Sequence, residues 1–247
     1  MIRSDDSAGH CVAVFDLDGT LTRRDLYLAF LAQALRRHGP ARPLRAAALP
    51  VLSARFMLRG IGNDQLKTAF LDAILGGRPR GMVEALAADF AERAVAREMK
   101  PAALSCLQNH RRAGHKLLLA SASLDVYVQP IARLLGFHGA VATRIAWTPD
   151  GCVAGTLDGP NLRGAAKLAA VRSELAARWP EVPVRLVAYS DHASDTPLLE
   201  AAASAVAVDP TAELARIAGA RGWDVVRWVR AGAAPQANEP VPSGGAA

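Results

Sequence analysis

The apolar run Val12-Ala13-Val14-Phe15, closed by Asp16-Leu17-Asp18-Gly19, constrains this chain more than any other segment. A short continuous apolar run bounded by a turn reads as a buried strand. Side chains two apart on an extended segment leave the same face, so Asp16 and Asp18 arrive together at the strand's exit. Two carboxylates held that closely repel unless a cation or a shared proton stands between them. The plain alternative is an Asp-Gly turn in which Gly19 supplies a positive φ; it accounts for Asp18 and leaves Asp16 without a reason. A calcium loop is a second alternative. That pattern wants an acid, a glycine and a glutamate at its fifth, sixth and twelfth positions, where Thr20, Leu21 and Tyr27 stand.

Beyond this strand the chain reads as helix over residues 25–37, 44–59, 63–75, 81–98 and 101–113, with Pro50 placed to kink or split the second. From Lys116 the rhythm changes. Strands expected over 117–120, 184–189, 205–208 and 225–229 alternate with helices over 124–135, 162–178, 193–203 and 211–218, and a hairpin is expected from 141–147 and 152–157. Such alternation predicts an α/β fold: a doubly wound, mostly parallel sheet with helices on both faces, and an all-helical cap inserted after the first strand. The expected division is a core of residues 11–21 and 114–230, a cap of 22–113, and disordered tails over 1–10 and 231–247.

At 247 residues, half of them apolar, the chain can bury a sizeable core. Its net charge of +6 comes from arginine, because Lys67, Lys100, Lys116 and Lys167 are the only lysines. A positive balance suits an anionic metabolite, a lipid headgroup or nucleic acid alike. No tight basic cluster with interleaved aromatics is present, which argues against a nucleic-acid partner. Cys11, Cys106 and Cys152 are odd in number and far apart, so neither a disulfide framework nor a metal knuckle is indicated. Asp5 and Asp6 near the N-terminus, without a long apolar segment, do not read as a signal peptide, and a cytoplasmic location is expected. The uncharged stretch 46–54 falls far below the roughly 20 residues of a membrane span.

In an open parallel sheet, ligands bind beyond the strand C-termini where the strand order reverses. Three expected strand ends carry polar groups: Asp16 and Asp18; Ser121 and Ser123; and Ser190, Asp191, Ser194 and Asp195. Between the last two lies Lys167. In a chain that otherwise uses arginine, a compact ammonium on an amphipathic helix reads as pointing inward.

Taken in order, these segments resemble the four motifs of the haloacid dehalogenase superfamily, from Val12 to Val208, and the helical insert places the resemblance with the branch containing phosphoserine phosphatase. The resemblance implies a magnesium-dependent phosphomonoester hydrolase. On this chain it implies that Asp16 attacks phosphorus and becomes a phosphoaspartate, while Asp18 gives and later takes a proton. Magnesium would sit on the Asp16 carboxylate, the Asp18 carbonyl and Asp191, with Asp195 supporting that set from behind. Ser121 and the main chain at Ala122 would hold the phosphoryl oxygens, and Lys167 would balance their charge. Ser121 also reads as a helix N-cap, a role Ser123 fits better. His192 is an addition to the fourth motif and is expected on an exposed loop. Two rivals stay open: a phosphotransferase or mutase, and a non-catalytic phosphoacceptor, against which Asp18 speaks.

Asp25 stands where phosphoserine phosphatases carry a glutamate that helps hold the amino acid; the shorter acid fits that role less well and leaves another amine open. Residues 12–37, with Asp195-Thr196-Pro197-Leu198-Leu199, also resemble bacterial phosphatases acting on phosphatidylglycerophosphate. The expected substrate is therefore a small-molecule or lipid-headgroup phosphomonoester. Over residues 42–59, Arg42, Arg45, Arg55 and Arg59 gather on one side of a helical wheel. A bundle helix burying its apolar side is the first reading, and peripheral membrane contact through 42–59 the second.

Overall fold

Strands send alternate side chains to opposite faces, and burial follows that period. In the computed structural model, which describes residues 10–180 and 184–228, Ala13, Phe15, Leu117, Leu119, Val187 and Tyr189 join one apolar cluster. Val12, Val14, Leu118, Ala120, Leu186 and Ala188 join another on the opposite face. A sheet covered on both faces explains why these strands are apolar without alternation.

The chain opens with β1 (His10–Phe15), followed among the described residues by six helices: α1 (Tyr27–His38), α2 (Pro43–Ala47), α3 (Leu49–Met57), α4 (Asn63–Leu75), α5 (Arg80–Arg97) and α6 (Pro101–Arg112). Next come β2 (Lys116–Leu124), α7 (Asp125–Leu134), β3 (Gly139–Thr143), and a hairpin of β4 (Ile145–Trp147) and β5 (Val153–Leu157). The remaining elements are α8 (Ala165–Arg178), β6 (Val184–Ser190), α9 (Thr196–Glu200), β7 (Ser204–Val208), α10 (Ala212–Arg221) and β8 (Asp224–Val226). The main sheet has the order β3-β2-β1-β6-β7-β8, with every neighbouring pair parallel. Order reverses at β1, so its C-terminal end opens on the crevice where such sheets bind ligands.

One local expectation is met and three are corrected. The stretch expected as helix over 44–59, with Pro50 placed to kink or split it, divides at Ala48, and Pro50 stands in the first turn of α3, where a missing N–H costs no helical bond. β2 continues past residue 120 to Leu124, with a register shift between Ser121 and Leu124, so both serines lie within the strand. The strand expected over 141–147 is cut at Arg144: β3 stays in the main sheet and β4 leaves to pair with β5. The helix expected over 193–203 becomes a single turn, Ala193–Asp195, and the short α9, because Pro197 fits the first turn of a new helix rather than the interior of a longer one. Of the expected tails, His10 belongs to β1; the rest lie outside the described residues, as does Val229 of the last expected strand.

The helices between β1 and β2 pack through the same apolar cluster as one face of the sheet. Phe30 of α1 and Phe90 of α5 meet Tyr127 of α7 at ring separations of 4.8 and 5.3 Å. Burying each such side chain contributes about 1.5–3 kcal/mol, so these contacts fix the insert above the crevice.

Candidate active site

At the end of β1 the main chain turns through Leu17–Leu21, with Gly19 at φ 78°. A Cβ at Gly19 would run into the Asp191 carboxylate, so glycine both permits the turn and lets the loop after β6 approach. That approach brings Asp16 and Asp191 to one hydroxyl. Thr20 Oγ1 donates to Asp191 Oδ1 at 3.0 Å and to Asp16 Oδ2 at 3.4 Å.

Asp16 is buried, and Lys167 Nζ of α8 donates to its Oδ1 at 2.8 Å and to Asp195 Oδ2 at 2.6 Å. Burial raises the Asp16 carboxyl well above the usual range, Lys167 opposes the rise, and Asp195, Asp191 and Asp18 add to it. For Lys167 burial acts downward, but Asp16 and Asp195 outweigh it and hold the ammonium above its ordinary range. The lysine is therefore a fixed positive charge against the first acid.

Asp18 sits in a different environment two residues on. Ser123 Oγ donates to its Oδ2 at 2.5 Å and the Leu26 N–H to its Oδ1 at 2.7 Å. Burial lifts Asp18 to about 6, Asp25 adds to the rise, and the Ser123 and Leu26 hydrogen bonds and Lys167 restrain it. A carboxyl poised there exchanges a proton near neutral pH, as a general acid–base requires.

Asp191 is raised by burial and restrained by the Thr20 hydroxyl. Asp195 Oδ2 also accepts from Ser190 Oγ at 2.7 Å, while its Oδ1 is buried without a hydrogen-bond partner among the described residues. Acidic groups outnumber the cations on this floor, and the donors are hard oxygens, which fits a small divalent ion such as magnesium better than a soft metal. Among the described residues, no three acidic, histidine or cysteine side chains form a ready metal cluster. The implied set of two carboxylates and one main-chain carbonyl fits that observation, since magnesium keeps several places for water and phosphate.

A cavity of about 560 Å³ gathers Asp16, Asp18, Lys167, Asp191, Asp195, Ala122 and Asp25. Ser121 is fully buried beneath its wall; its Oγ accepts from the Ser123 N–H at 2.9 Å and lies 3.5 Å from Asp18 Oδ2. Asp25 is exposed at the rim and accepts the Tyr27 N–H at 2.7 Å. His192, expected on an exposed loop, is half-buried and caps the turn that follows it, its Nδ1 accepting the Ser194 N–H at 3.0 Å.

Sequence reasoning missed several residues. Ser123 caps no helix: Leu124 occupies the cap position of α7, and the serine serves Asp18 instead. Lys67, on α4, reaches down to donate to the Ala122 carbonyl and to Asn161 Oδ1. Thr143 Oγ1 donates to the same two acceptors at 2.7 and 3.0 Å, and Asn161 Nδ2 donates to Asp64 Oδ1 at 2.7 Å. This network ties the insert to the β2 exit. Burial draws Lys67 down to about 8 against the pull of Asp18, Asp25 and Asp64. Lys100, just before α6, donates to the Gly19 carbonyl and pairs with Asp209 at 2.9 Å. The scarcity of lysine that singled out Lys167 applied equally here, for Lys67, Lys100 and Lys167 are all buried.

A family model described as haloacid dehalogenase-like hydrolase matches residues 13–200. A protein of Streptomyces azureus named inhibition of morphological differentiation protein is 33% identical over 222 residues, covering 88% of this chain and 78% of its own length. The phosphoserine phosphatase SerB1 of Mycobacterium tuberculosis is 32% identical over 217 residues, covering 86% and 69%. Among solved structures, a protein of unknown function from Bordetella pertussis Tohama I aligns with a TM-score of 0.78 at 26% identity, over 90% of this chain and 100% of that one.

Proposed function

The chain belongs to the haloacid dehalogenase-like hydrolases, and from that premise we propose that it is a magnesium-dependent phosphatase that cleaves a phosphomonoester through a phosphoaspartate on Asp16. The observation that carries this reading is the asymmetry of the Asp16 carboxylate. Its Oδ1 is held by Lys167 at 2.8 Å, whereas among the described residues Oδ2 has only the 3.4 Å hydrogen bond from Thr20, and the residue lines the cavity. Oδ2 is thus the oxygen available to phosphorus.

Asp16 Oδ2 attacks in line, the bond from phosphorus to the ester oxygen breaks, and the departing oxygen takes its proton from Asp18. Asp18 then removes a proton from water as that water attacks the phosphoaspartate, releasing inorganic phosphate and restoring Asp16. Lys167 neutralises charge on Asp16 and on the transferring oxygens throughout. Held by Asp16, the Asp18 carbonyl and Asp191, magnesium would screen the anionic nucleophile from the anionic substrate. Residues 22–113 act as the cap that excludes water, with Lys67 and Asp64 as its ties to the core. The name of the SerB1 relative supports phosphatase chemistry in the same family.

Purified protein with magnesium is expected to release phosphate steadily from an aryl phosphate. Asp16→Asn should lose turnover by several orders of magnitude with an unchanged circular dichroism spectrum. Full activity in that variant would remove the mechanism. A rise in phosphoryl product without free phosphate, on adding acceptor alcohols, would favour a phosphotransferase.

A further inference from the structure

Between Leu26 and Asn63 the chain carries no Asp or Glu and six arginines: Arg36, Arg37, Arg42, Arg45, Arg55 and Arg59. Three of these are neutralised within the fold, Arg37 on Asp89 and Arg42 and Arg45 on Asp72. Arg55 and Arg59 form no ion pair among the described residues and are exposed. Arg55 lies in the last turn of α3 and Arg59 just beyond its end, and the helix sequence Leu-Pro-Val-Leu-Ser-Ala-Arg-Phe-Met holds only two polar residues.

A helix apolar all round is normally buried all round, and α3 is not. At about 100° per residue, Leu49, Leu52, Ser53 and Phe56 share one side. Leu49 and Leu52 pack into the core cluster, while Ser53 and Phe56 line the cavity. The other side carries Pro50, Val51, Ala54, Arg55, Met57 and Leu58, and it faces solvent: Val51 is 63% exposed, and Met57 and Leu58 are each 82% exposed. Leu44, on α2, is 91% exposed. Exposed apolar side chains gathered on one side of a helix, as Val51, Met57 and Leu58 are, mark an interaction site.

We propose that the α2–α3 face docks on an anionic lipid surface, and that the phosphomonoester hydrolysed is the headgroup of an amphiphile drawn from it. Unpaired arginines beside inserted apolar side chains are the combination that anionic bilayers retain. A second copy of the chain is the poorer occupant. An isologous contact over this face would set Arg55 and Arg59 against their own counterparts, with no acid between residues 26 and 63 to separate them. The cavity carries the same polarity. Asp16, Asp18, Lys167 and Asp191 form its floor, whereas Leu28, Phe56, Leu66 and Phe70 give it an apolar wall. Leu28 is also 56% exposed, so the wall continues outward to the rim. A phosphate on an apolar body fits that order of surfaces. The substrate half of this inference rests on the phosphatase reading; the docking half does not.

The full chain is sedimented with vesicles of phosphatidylcholine alone and of phosphatidylcholine mixed with phosphatidylglycerol. Binding is expected only to the anionic vesicles and should weaken with added salt. Arg55→Ala and Arg59→Ala should each reduce partitioning about fivefold, and Val51→Asp with Leu58→Asp at least about tenfold. All four residues lie outside the cavity, so aryl phosphate turnover in solution is expected to stay unchanged while turnover of vesicle-borne lysophosphatidic acid falls with binding. Equal partitioning of wild type and variants, or equal binding to neutral vesicles, would overturn the docking. Dimerisation in sedimentation velocity that Val51→Asp abolishes would overturn it in favour of a second copy. Anionic vesicle binding without lysophosphatidic acid hydrolysis, in a protein active on aryl phosphate, would overturn the substrate class alone. Failure on every phosphate ester would count instead against the phosphatase reading, and Asp16→Asn should still bind vesicles.

Discussion

Removing the hydroxyl of Ser123 should move the proton affinity of Asp18 in a calculable direction. Ser123 Oγ donates to Asp18 Oδ2 at 2.5 Å, and this bond favours the charged carboxylate. A hydrogen bond to a charged group is worth about 1.5–3 kcal/mol, and about 1.36 kcal/mol corresponds to one pH unit. Ser123→Ala should therefore raise Asp18 from about 6 by roughly one to two pH units. Asp25 acts the other way, since its negative charge favours the protonated form of Asp18. Asp25→Asn should lower Asp18 by a few tenths of a pH unit only, because Asp25 is exposed and its field is screened. The assay is kcat/KM against pH for an alkyl phosphate, whose poor leaving group needs the proton, at saturating magnesium. If Asp18 supplies that proton, the alkaline limb reports its ionisation. That limb should move up in Ser123→Ala at any ionic strength and slightly down in Asp25→Asn at low salt only. A shift of both variants in one direction, or a limb indifferent to Ser123→Ala, would refute the assignment of Asp18 as acid–base.

Lys167→Met leaves Asp16 and Asp195 facing each other without their shared cation, and loss of one partner of a buried pair costs about 3–5 kcal/mol. Because the two carboxylates hold Lys167 above its ordinary value, its contribution is fully present below about pH 10.4 and is lost as the pH climbs through the raised value. Burial already lifts Asp16 to about 8 and Lys167 opposes that rise, so urea unfolding should show the deficit most clearly above that value. The deficit should narrow as the pH falls and Asp16 takes up a proton, and a deficit that widens there would contradict the pairing. Gly19→Ala forces a non-glycine residue to φ 78°, costing about 1–2 kcal/mol, and pushes against Asp191. Magnesium should raise the Tm of the native chain by linkage and do so much less in Gly19→Ala; an undiminished shift would separate Asp191 from the metal site.

The fold was legible where one physical cause dominated. Helices over 63–75 and 101–112 were expected almost to the residue, because their apolar spacing is bounded by Gly62 and Gly76 in one case and begins at Pro101 in the other. The strands of the main sheet were legible as apolar runs, and the acids at their exits followed from chain direction alone. What stayed hidden depended on contacts distant in sequence. No local pattern distinguishes Ser123 as an N-cap from Ser123 as a donor to Asp18, since the choice depends on β2 running on to Leu124. Likewise Lys67 sits on a helix of moderate polarity, and only the placement of α4 over the β2 exit turns it toward Ala122. Arg144 ends one sheet and starts another for a reason that lies in the pairing of β4 with β5, outside the reach of strand propensity.

How the insert is held determines what in it can give way. Phe30, Phe90 and Tyr127 join α1 and α5 to α7, and Lys100 and Lys67 reach from the insert to the Gly19 and Ala122 carbonyls. Swinging the insert as one body would separate several buried aromatic contacts worth about 1.5–3 kcal/mol apiece and strand two buried ammonium groups. By contrast, α3 places only Leu49 among the buried members of the core cluster, and α2 with the residue before it, not α3, carries the arginine pairs to Asp72. Displacing α3 costs far less than opening the whole insert. The cavity wall formed by Phe56 and Ser53 is therefore the cheapest part of the enclosure to move, and it belongs to the helix whose outer face is apolar and unpaired in charge. A surface that engages this outer face also acts on the one wall of the cavity that yields readily, which couples docking to substrate entry through a single element.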